Sequence, residues 1–213
     1  MVMTPSTAEH PGPTTESQFS HPSSLVGRLL LRGMNHGHRH LHTWGLQAAG
    51  IRDADRVLDI GCGGGKAISR ILRLTRREVA GVDHSPDAVA TTLRVNRAAA
   101  RSGRLRAVEG SAQAIPFPDA FFDVVTAFET IYFWPDLPAG LAEIHRVLRP
   151  GGRLLIANEF ADRRMAGSWA QRLGMTVPDG EELADLVQAA GFTQVEADHH
   201  PRRGWLHVLA TKA

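Results

Sequence analysis

The segment VLDIGCGGG at residues 57–65 constrains the fold of this 213-residue chain more than any other feature. A short apolar run, typical of a buried strand, leads into Gly61, Gly63, Gly64 and Gly65. Because glycine has no Cβ, the backbone can turn sharply there and approach a ligand closely. In an open parallel sheet, ligands bind beyond the carboxyl ends of the strands. The segment therefore predicts the first strand of such a sheet and a ligand-binding loop directly after it.

Runs of strand length alternate with amphipathic stretches of helical length beyond this loop. The predicted strands lie at residues 56–60, 78–82, 105–109, 122–127, 152–157, 194–198 and 205–211. The predicted helices lie at residues 66–74, 86–100, 137–148 and 181–190. Repeated strand and helix units predict an α/β fold, doubly wound, with helices on both faces of a mostly parallel seven-stranded sheet. The last two strands are separated only by a turn at residues 201–204, which predicts an antiparallel C-terminal hairpin.

The N-terminal part of the chain differs in composition from the rest. Residues 1–24 are rich in Pro, Ser, Thr and Gly and lack the apolar core of a secretory signal, so we expect a disordered leader. Residues 25–50 carry apolar side chains at helical spacing over 25–31 and 40–49, which predicts a short helical cap over the binding site. Residues 51–213 are then expected to form one ligand-binding domain.

Composition limits the classes of partner. The 24 basic and 22 acidic residues nearly balance, and the arginines are scattered rather than aligned with interleaved aromatic residues, which disfavours a nucleic-acid substrate. No apolar run approaches the roughly 20 residues that a membrane-spanning helix needs. Cys62 is the only cysteine and cannot form an internal disulfide, which fits a reducing compartment. We expect a soluble cytoplasmic protein without membrane association, either a monomer or a homodimer.

The spacing of the glycines separates three kinds of ligand. A dinucleotide fingerprint counted from Gly61 requires a glycine where Lys66 stands. A P-loop ending at Lys66 requires a glycine in place of Ile60 and a hydroxyl residue in place of Ala67. The carboxylate of Asp59, two positions before the glycines, repels pyrophosphate and attracts an ammonium group. The loop therefore favours a ligand with an amine and no phosphate over a structural turn capped by an aspartate.

Residues 56–160 resemble the class I S-adenosylmethionine (SAM)-dependent methyltransferases, in which SAM is the methyl donor and S-adenosylhomocysteine the product. The segments that carry the resemblance, in the order expected of the family, are residues 57–65, 79–83, 108–112, 115–119, 122–125 and 147–152. The resemblance implies that Asp83 ends the second strand and holds both ribose hydroxyls, since a carboxylate accepts two hydrogen bonds. A helix cap at Ser85 is the alternative role for Asp83. The chain departs from many relatives at Ser111, where they have an acid.

The cofactor-binding residues implied by this resemblance, by their positions in the loops after the first four strands, are Asp59, Gly61, Cys62, Gly63, Gly65, Asp83, His84, Ser111, Ala112, Gln113 and Phe128. Because Ser111 replaces an acid, the adenine contact is expected from a backbone group or from Gln113. Cys62 is a spacer in the glycine loop, since nothing in the sequence provides a base to activate it.

Acceptor-side residues are expected after the fourth strand, after the fifth strand at Asn158 and Glu159, and in the cap. Glu129 and Tyr132 follow the fourth strand. The aromatic run of Tyr132, Phe133 and Trp134 indicates either an apolar wall for the acceptor or ordinary core packing. Four histidines recur at every second position, at His36, His38, His40 and His42. On a helix only 36 with 40 and 38 with 42 share a face, which makes a zinc or iron site the minor alternative. We expect no metal and predict that His36 and His40 face the acceptor.

These features favour an enzyme that transfers the methyl group of SAM by in-line displacement to a small-molecule acceptor, held between the cap and the loops after strands four and five. A sulfonium needs chiefly alignment and exclusion of water for this reaction. A methyltransferase acting on a peptide or protein side chain, and a SAM-binding regulatory or partner subunit without activity, remain alternatives. A nicotinamide-dependent oxidoreductase is excluded by Lys66.

Overall fold

The computed structural model describes residues 38–213. The expected leader at residues 1–24, the expected helix at 25–31 and the candidate residue His36 therefore lie outside the described residues. No helix within the described part of the chain is both long and apolar enough to cross a membrane.

Seven strands form the sheet. They are β1 (Val57–Ile60), β2 (Val79–Asp83), β3 (Leu105–Glu109), β4 (Phe122–Phe128), β5 (Leu148–Asn158), β6 (Phe192–His199) and β7 (Leu206–Lys212). The α-helices are α1 (Arg39–Ala49), α2 (Lys66–Ile71), α3 (Pro86–Val95), α4 (Arg97–Arg101), α5 (Leu137–Val147), α6 (Arg163–Leu173) and α7 (Gly180–Ala189). A single turn of 3₁₀ helix covers Ile131–Phe133.

The strands pair in the order β3-β2-β1-β4-β5-β7-β6. The first five in this order are parallel, and β7 is antiparallel to both β5 and β6. The order reverses between β1 and β4, where Asp59 pairs with Thr126. Such a switch point is where open α/β sheets bind ligands. The predicted fold class, including the antiparallel C-terminal hairpin that makes the sheet mixed, is confirmed.

Two apolar clusters hold helices against the two faces of this sheet. The central strands β1, β2 and β4 are buried along their whole length, as expected for parallel strands covered on both faces. One cluster includes Leu141 and Ile144 of α5 on one face, and the other includes Leu41 and Leu46 of α1. Helix α1 is therefore part of the folded core rather than a loose appendage, and its packing fixes which of its sides turns toward the ligand-binding end of the sheet.

Several elements of the structure differ from those predicted. The helix predicted at residues 86–100 is divided at Asn96, whose side-chain amide donates to the carbonyl oxygens of Gly65 and Thr92 at 3.0 and 3.1 Å. The helix predicted at 66–74 ends at Ile71. Helix α6 was not predicted, and Gly167 interrupts it with a φ of 52°. Strand β5 begins at Leu148, earlier than residue 152.

Candidate active site

A cavity of about 400 Å³ lies at the carboxyl ends of β1 to β4. This volume is within the usual range of small-molecule sites. Its lining includes the glycine loop, residues that follow β2 and β3, and two histidines of the α1 region. Residues 128–130 and 133–135, at and after the end of β4, complete the lining. The sequence-predicted residues that line the cavity are Asp59, Gly61, Cys62, Gly63, Asp83, His84, Ser111, Ala112, Gln113, Phe128 and Glu129.

The glycine loop has the backbone that only glycine adopts easily. Gly61 and Gly65 have φ angles of 70° and 74°. A Cβ on Gly61 would collide with the side chain of Thr130, and one on Gly65 would lie 2.8 Å from Nδ2 of Asn96. Gly65 is thus needed for packing of the loop against α3, although it does not line the cavity. The backbone carbonyl of Gly63 accepts a hydrogen bond of 2.9 Å from the Thr92 hydroxyl, which also holds the loop against α3.

Asp83 connects the end of β2 to both neighbouring elements. Its Oδ2 atom accepts a hydrogen bond of 2.8 Å from the backbone N–H of Gly63, and its Oδ1 atom accepts one of 3.0 Å from Ser85. Ser85 itself caps α3 through its hydroxyl. Each carboxylate oxygen keeps a further acceptor position, so this structural role and a contact to a ligand diol are compatible. Next to it, the exposed ring of His84 lies 3.6 Å from Oδ1.

Asp59 is buried on β1, beside a threonine of the adjacent strand β4. The Thr126 hydroxyl donates a hydrogen bond of 2.7 Å to Oδ1 of Asp59. Burial raises the pKa of Asp59 to about 7, the nearby Asp83 carboxylate contributes in the same direction, and the Thr126 bond partly opposes them. An ammonium group bound beside Asp59 would favour its ionised form.

The loop after β3 forms part of the cavity wall. Ala112 is buried, and Ser111 forms an isolated backbone bridge with Ala114. The Gln113 amide donates a hydrogen bond of 3.2 Å to the backbone oxygen of Asp136. The structure thus brings Ser111, Ala112 and Gln113 into the cavity wall together, with the Gln113 side chain held by the segment that starts α5.

Glu129 lies at the end of β4 in a left-handed conformation, with a φ of 58°. Its backbone N–H donates to Ala157 at 3.0 Å, and its carboxyl oxygen accepts a hydrogen bond from the backbone N–H of Glu159. Burial raises the pKa of Glu129 to about 8, despite the opposing effect of the bond from Glu159. A non-glycine residue at positive φ is uncommon, and such residues concentrate at functional sites.

Two predicted acceptor-side residues have other surroundings. Tyr132 is buried beneath the cavity wall, where its hydroxyl accepts a hydrogen bond of 3.0 Å from the backbone N–H of Phe160. Burial raises the pKa of Tyr132. His40 is exposed on α1 and does not line the cavity. The structure therefore does not bring His40 into the cavity, and the other side of α1 faces it. Phe133 and Trp134 do line the cavity.

The histidines that line the cavity are His38 and His42. The His42 ring is buried, packs edge-on against Phe128 with centroids 4.8 Å apart, and lies 3.3 Å from an Arg70 nitrogen through Nδ1. Burial, followed by the charge of Arg70, lowers the pKa of His42 to about 3. Because guanidinium can only donate, Nδ1 is the acceptor and the neutral ring carries its proton on Nε2.

A usable sequence signal for His38 and His42 was present. His42 is four residues before Leu46 and seven before Ala49, both of which are buried, and His38 is four residues before His42. Thr126 was not predicted, because its contact with Asp59 joins strands far apart in sequence. The Thr130 hydroxyl accepts a hydrogen bond of 3.2 Å from the Trp134 indole.

The strand order, the glycine loop at the switch point and the acidic end of β2 together define the class I methyltransferase fold. A family model described as a methyltransferase domain matches residues 58–156. By this match and by its fold, the chain is similar to the class I SAM-dependent methyltransferases.

Named relatives differ in the atom that they methylate. The O-methyltransferase resE of Aspergillus sclerotiorum is 32% identical over 146 residues, which cover 66% of this chain and 55% of that protein. The ubiquinone/menaquinone biosynthesis C-methyltransferase UbiE of Edwardsiella ictaluri is 28% identical over an alignment covering 76% of each. A solved SAM-dependent methyltransferase from Aquifex aeolicus superposes with a TM-score of 0.73 at 18% identity, covering 87% of this chain and 98% of that one. The chain spans about half to two thirds of the fungal O-methyltransferases that it matches.

Proposed function

We propose that the protein transfers the methyl group of SAM to a small-molecule acceptor. The observation that carries this proposal is one continuous cavity that joins the glycine loop and Asp83 on one side to Glu129 and Trp134 on the other. Donor and acceptor must meet in such a space for in-line displacement. The relatives named as O- and C-methyltransferases support methyl transfer and leave open the acceptor atom.

The residues present fit SAM. No lysine or arginine lines the cavity within the described part of the chain, whereas Asp59, Asp83 and Glu129 do. An acidic cavity attracts the sulfonium and ammonium charges of SAM and repels the phosphates of a dinucleotide. Gly63, where a Cβ would meet only the Gly61 carbonyl oxygen at 3.8 Å, leaves room for close backbone approach, and free acceptor positions on Asp83 suit the ribose hydroxyls. Ser111, Ala112 and Gln113 would border the adenine.

Bound SAM supplies an electrophilic methyl group, so the chain contributes mainly orientation and exclusion of water. Asp59 and Asp83 would fix the donor, with Phe128 and the buried ring of His42 packed beside it. Phe133 and Trp134 would form the apolar wall of the acceptor site, and Glu129 its polar end. Helix α1 would act as the cap over this site. The cavity volume of about 400 Å³ is in the range of small-molecule sites, which supports a small-molecule acceptor.

Calorimetric titration of the purified protein with SAM and S-adenosylhomocysteine tests the donor site, with NAD⁺ and ATP as comparison ligands. We expect micromolar binding of the first two and none of the others. Absence of binding by both would overturn the proposal. Transfer of radiolabel from methyl-labelled SAM into a small-molecule extract, separated from a peptide fraction, tests the acceptor class. Label confined to peptides would contradict the small-molecule acceptor, and binding without any transfer would identify a subunit that lacks activity.

A further inference from the structure

Three potential metal ligands come together beside the acceptor end of the cavity. The imidazole of His38 and the carboxylates of Glu129 and Glu159 each offer a ligand atom, and these atoms all lie within 4.8 Å of one another. Nε2 of His38 lies 3.6 Å from Oε2 of Glu159. The three residues lie next to three separate elements, since His38 precedes α1, Glu129 follows β4 and Glu159 follows β5. The fold, rather than local sequence, assembles this group.

The group also has the accessibility that an ion needs. The side chains of His38 and Glu159 are 16% and 31% exposed, so a hydrated cation can reach them. His38 and Glu129 line the cavity itself. Bonds of about 2.1 Å to one ion would bring the ligand atoms to about 3 Å from each other, so binding would draw the three side chains inward. One imidazole and two carboxylates suit Mn²⁺, Fe²⁺ or Zn²⁺.

An unpartnered buried amide also lies at the end of β5. Asn158, which directly precedes Glu159, is 1% exposed, and neither its side-chain nitrogen nor its oxygen has a hydrogen-bond partner in the described part of the chain. Buried amides without partners are rare and call for a bound water or ion.

We propose that His38, Glu129 and Glu159 form a binding site for a divalent transition-metal ion, which holds a hydroxyl group of the acceptor. The catalytic part of this inference rests on the proposed methyl transfer, whereas the binding of the ion does not. A hydroxyl bound to a divalent cation loses its proton to water more readily. The oxygen then forms the new O–CH₃ bond, the S–CH₃ bond breaks, and the sulfur keeps the electron pair as a neutral thioether. The acceptor class is accordingly a small alcohol or phenol.

Manganese alone is the probe. Protein freed of metal with EDTA and desalted is titrated with Mn²⁺, and free aqueous Mn²⁺ is followed by its electron paramagnetic resonance signal. We expect one ion per chain at micromolar affinity. Glu159→Gln and His38→Ala should each weaken binding about tenfold or more. His38 makes no side-chain capping hydrogen bond to α1, so its removal spares the helix start.

Matched controls are Glu196→Gln and His199→Ala, which alter exposed residues of β6 and should bind Mn²⁺ as the wild type does. The metal site is refuted if wild-type protein leaves the Mn²⁺ signal unchanged at millimolar concentrations, or if Glu159→Gln and His38→Ala both bind normally. Calorimetry with S-adenosylhomocysteine on the same metal-free samples separates the two proposals. Intact binding of that ligand without Mn²⁺ binding overturns only the metal site, and Mn²⁺ binding without it overturns only the donor site.

Discussion

The Oδ2 atom of Asp83 accepts a hydrogen bond of 2.8 Å from the backbone N–H of Gly63, which ties the end of β2 to the glycine loop that follows β1. The same carboxylate accepts from Ser85 at the start of α3. One side chain therefore holds the loop, the helix and, in the proposed complex, the ribose of SAM. Asp83 can therefore both support the start of α3 and contact a ligand, which are the two roles predicted for it from the sequence.

Replacement of Asp83 by alanine should weaken SAM and S-adenosylhomocysteine binding by about tenfold or more. The variant loses charge-assisted hydrogen bonds worth about 1.5–3 kcal/mol each, and about 1.4 kcal/mol corresponds to a factor of ten. Isothermal titration calorimetry checks the affinity. Asp185→Ala, an exposed aspartate on α7, is the control and should bind as the wild type does. Unchanged affinity in Asp83→Ala would show that the ribose assignment is wrong.

Replacement of Thr126 by valine removes the only hydroxyl that is hydrogen-bonded to Asp59 in the described residues while keeping the shape of the side chain. The pKa of Asp59 should rise above its present value of about 7, because the hydroxyl stabilises the ionised form. SAM affinity, which needs the carboxylate, should then reach its maximum at higher pH than in the wild type. Affinity measured from pH 6 to about pH 9 by calorimetry reports the shift. Thr193→Val on the edge strand β6 should leave the profile unchanged.

Asp59 also predicts how the stability of the ligand-free protein depends on pH. Its folded-state pKa of about 7 lies above the ordinary aspartate value of 3.8, so the folded state retains a proton that the unfolded state has lost. The stabilisation from this proton is complete below the unfolded pKa and is lost as pH rises through the folded pKa. The free energy of unfolding should therefore fall between about pH 4 and 7, with a slope of at most about 1.4 kcal/mol per pH unit from this group.

Urea denaturation of wild-type protein and Asp59→Asn at several pH values, with EDTA present, measures that contribution. The asparagine variant cannot ionise, so its free energy of unfolding should fall less steeply over this window. Asp185→Asn is the control and should follow the wild-type curve. Equal slopes for Asp59→Asn and the wild type would contradict a raised pKa at this buried carboxyl.

The strands and the glycine loop could be predicted from sequence because their determinants are local. The buried strands β1, β2 and β4 are short, mainly apolar runs, and the backbone of Gly61 needs the absence of a Cβ. The break at Asn96 could not be predicted in this way. Its amide donates a hydrogen bond to the carbonyl oxygen of Gly65, 31 residues earlier. The break in the helix therefore depends on a contact with the glycine loop, which no local pattern indicates. The left-handed conformation of Glu129 likewise depends on its contact with β5.

The acceptor side was harder to predict because it is assembled from distant segments. The alternation of histidines at positions 36 to 42 defines two helix sides, but the choice between them depends on what α1 packs against. Leu46 and Ala49 lie in the core, and this turns His42 inward and His40 outward. The approach of Glu159 to His38 spans most of the sheet domain in sequence, and no local pattern indicates it.

Arg153 on β5 fixes the position of α1, which the proposed function requires as a cap. Its guanidinium donates to the carbonyl oxygens of Ala49 and Gly50 at 2.5 and 2.7 Å and pairs with the buried carboxylate of Asp55 at 2.5 Å. Arg153→Met keeps the aliphatic stem but leaves these acceptors without their donor, which should reduce the free energy of unfolding by about 1–3 kcal/mol.

The loss should be concentrated in α1, because two of the three partners are at its C-terminal end. Hydrogen exchange measured by mass spectrometry should therefore become faster in peptides covering 39–49, while peptides from β1 and β4 keep wild-type protection. Arg202→Met, in the exposed turn before β7, is the control and should exchange as the wild type does. If Arg153→Met leaves exchange in α1 unchanged, the helix is held by its apolar contacts alone, and the acceptor site would have a cap that does not depend on this arginine.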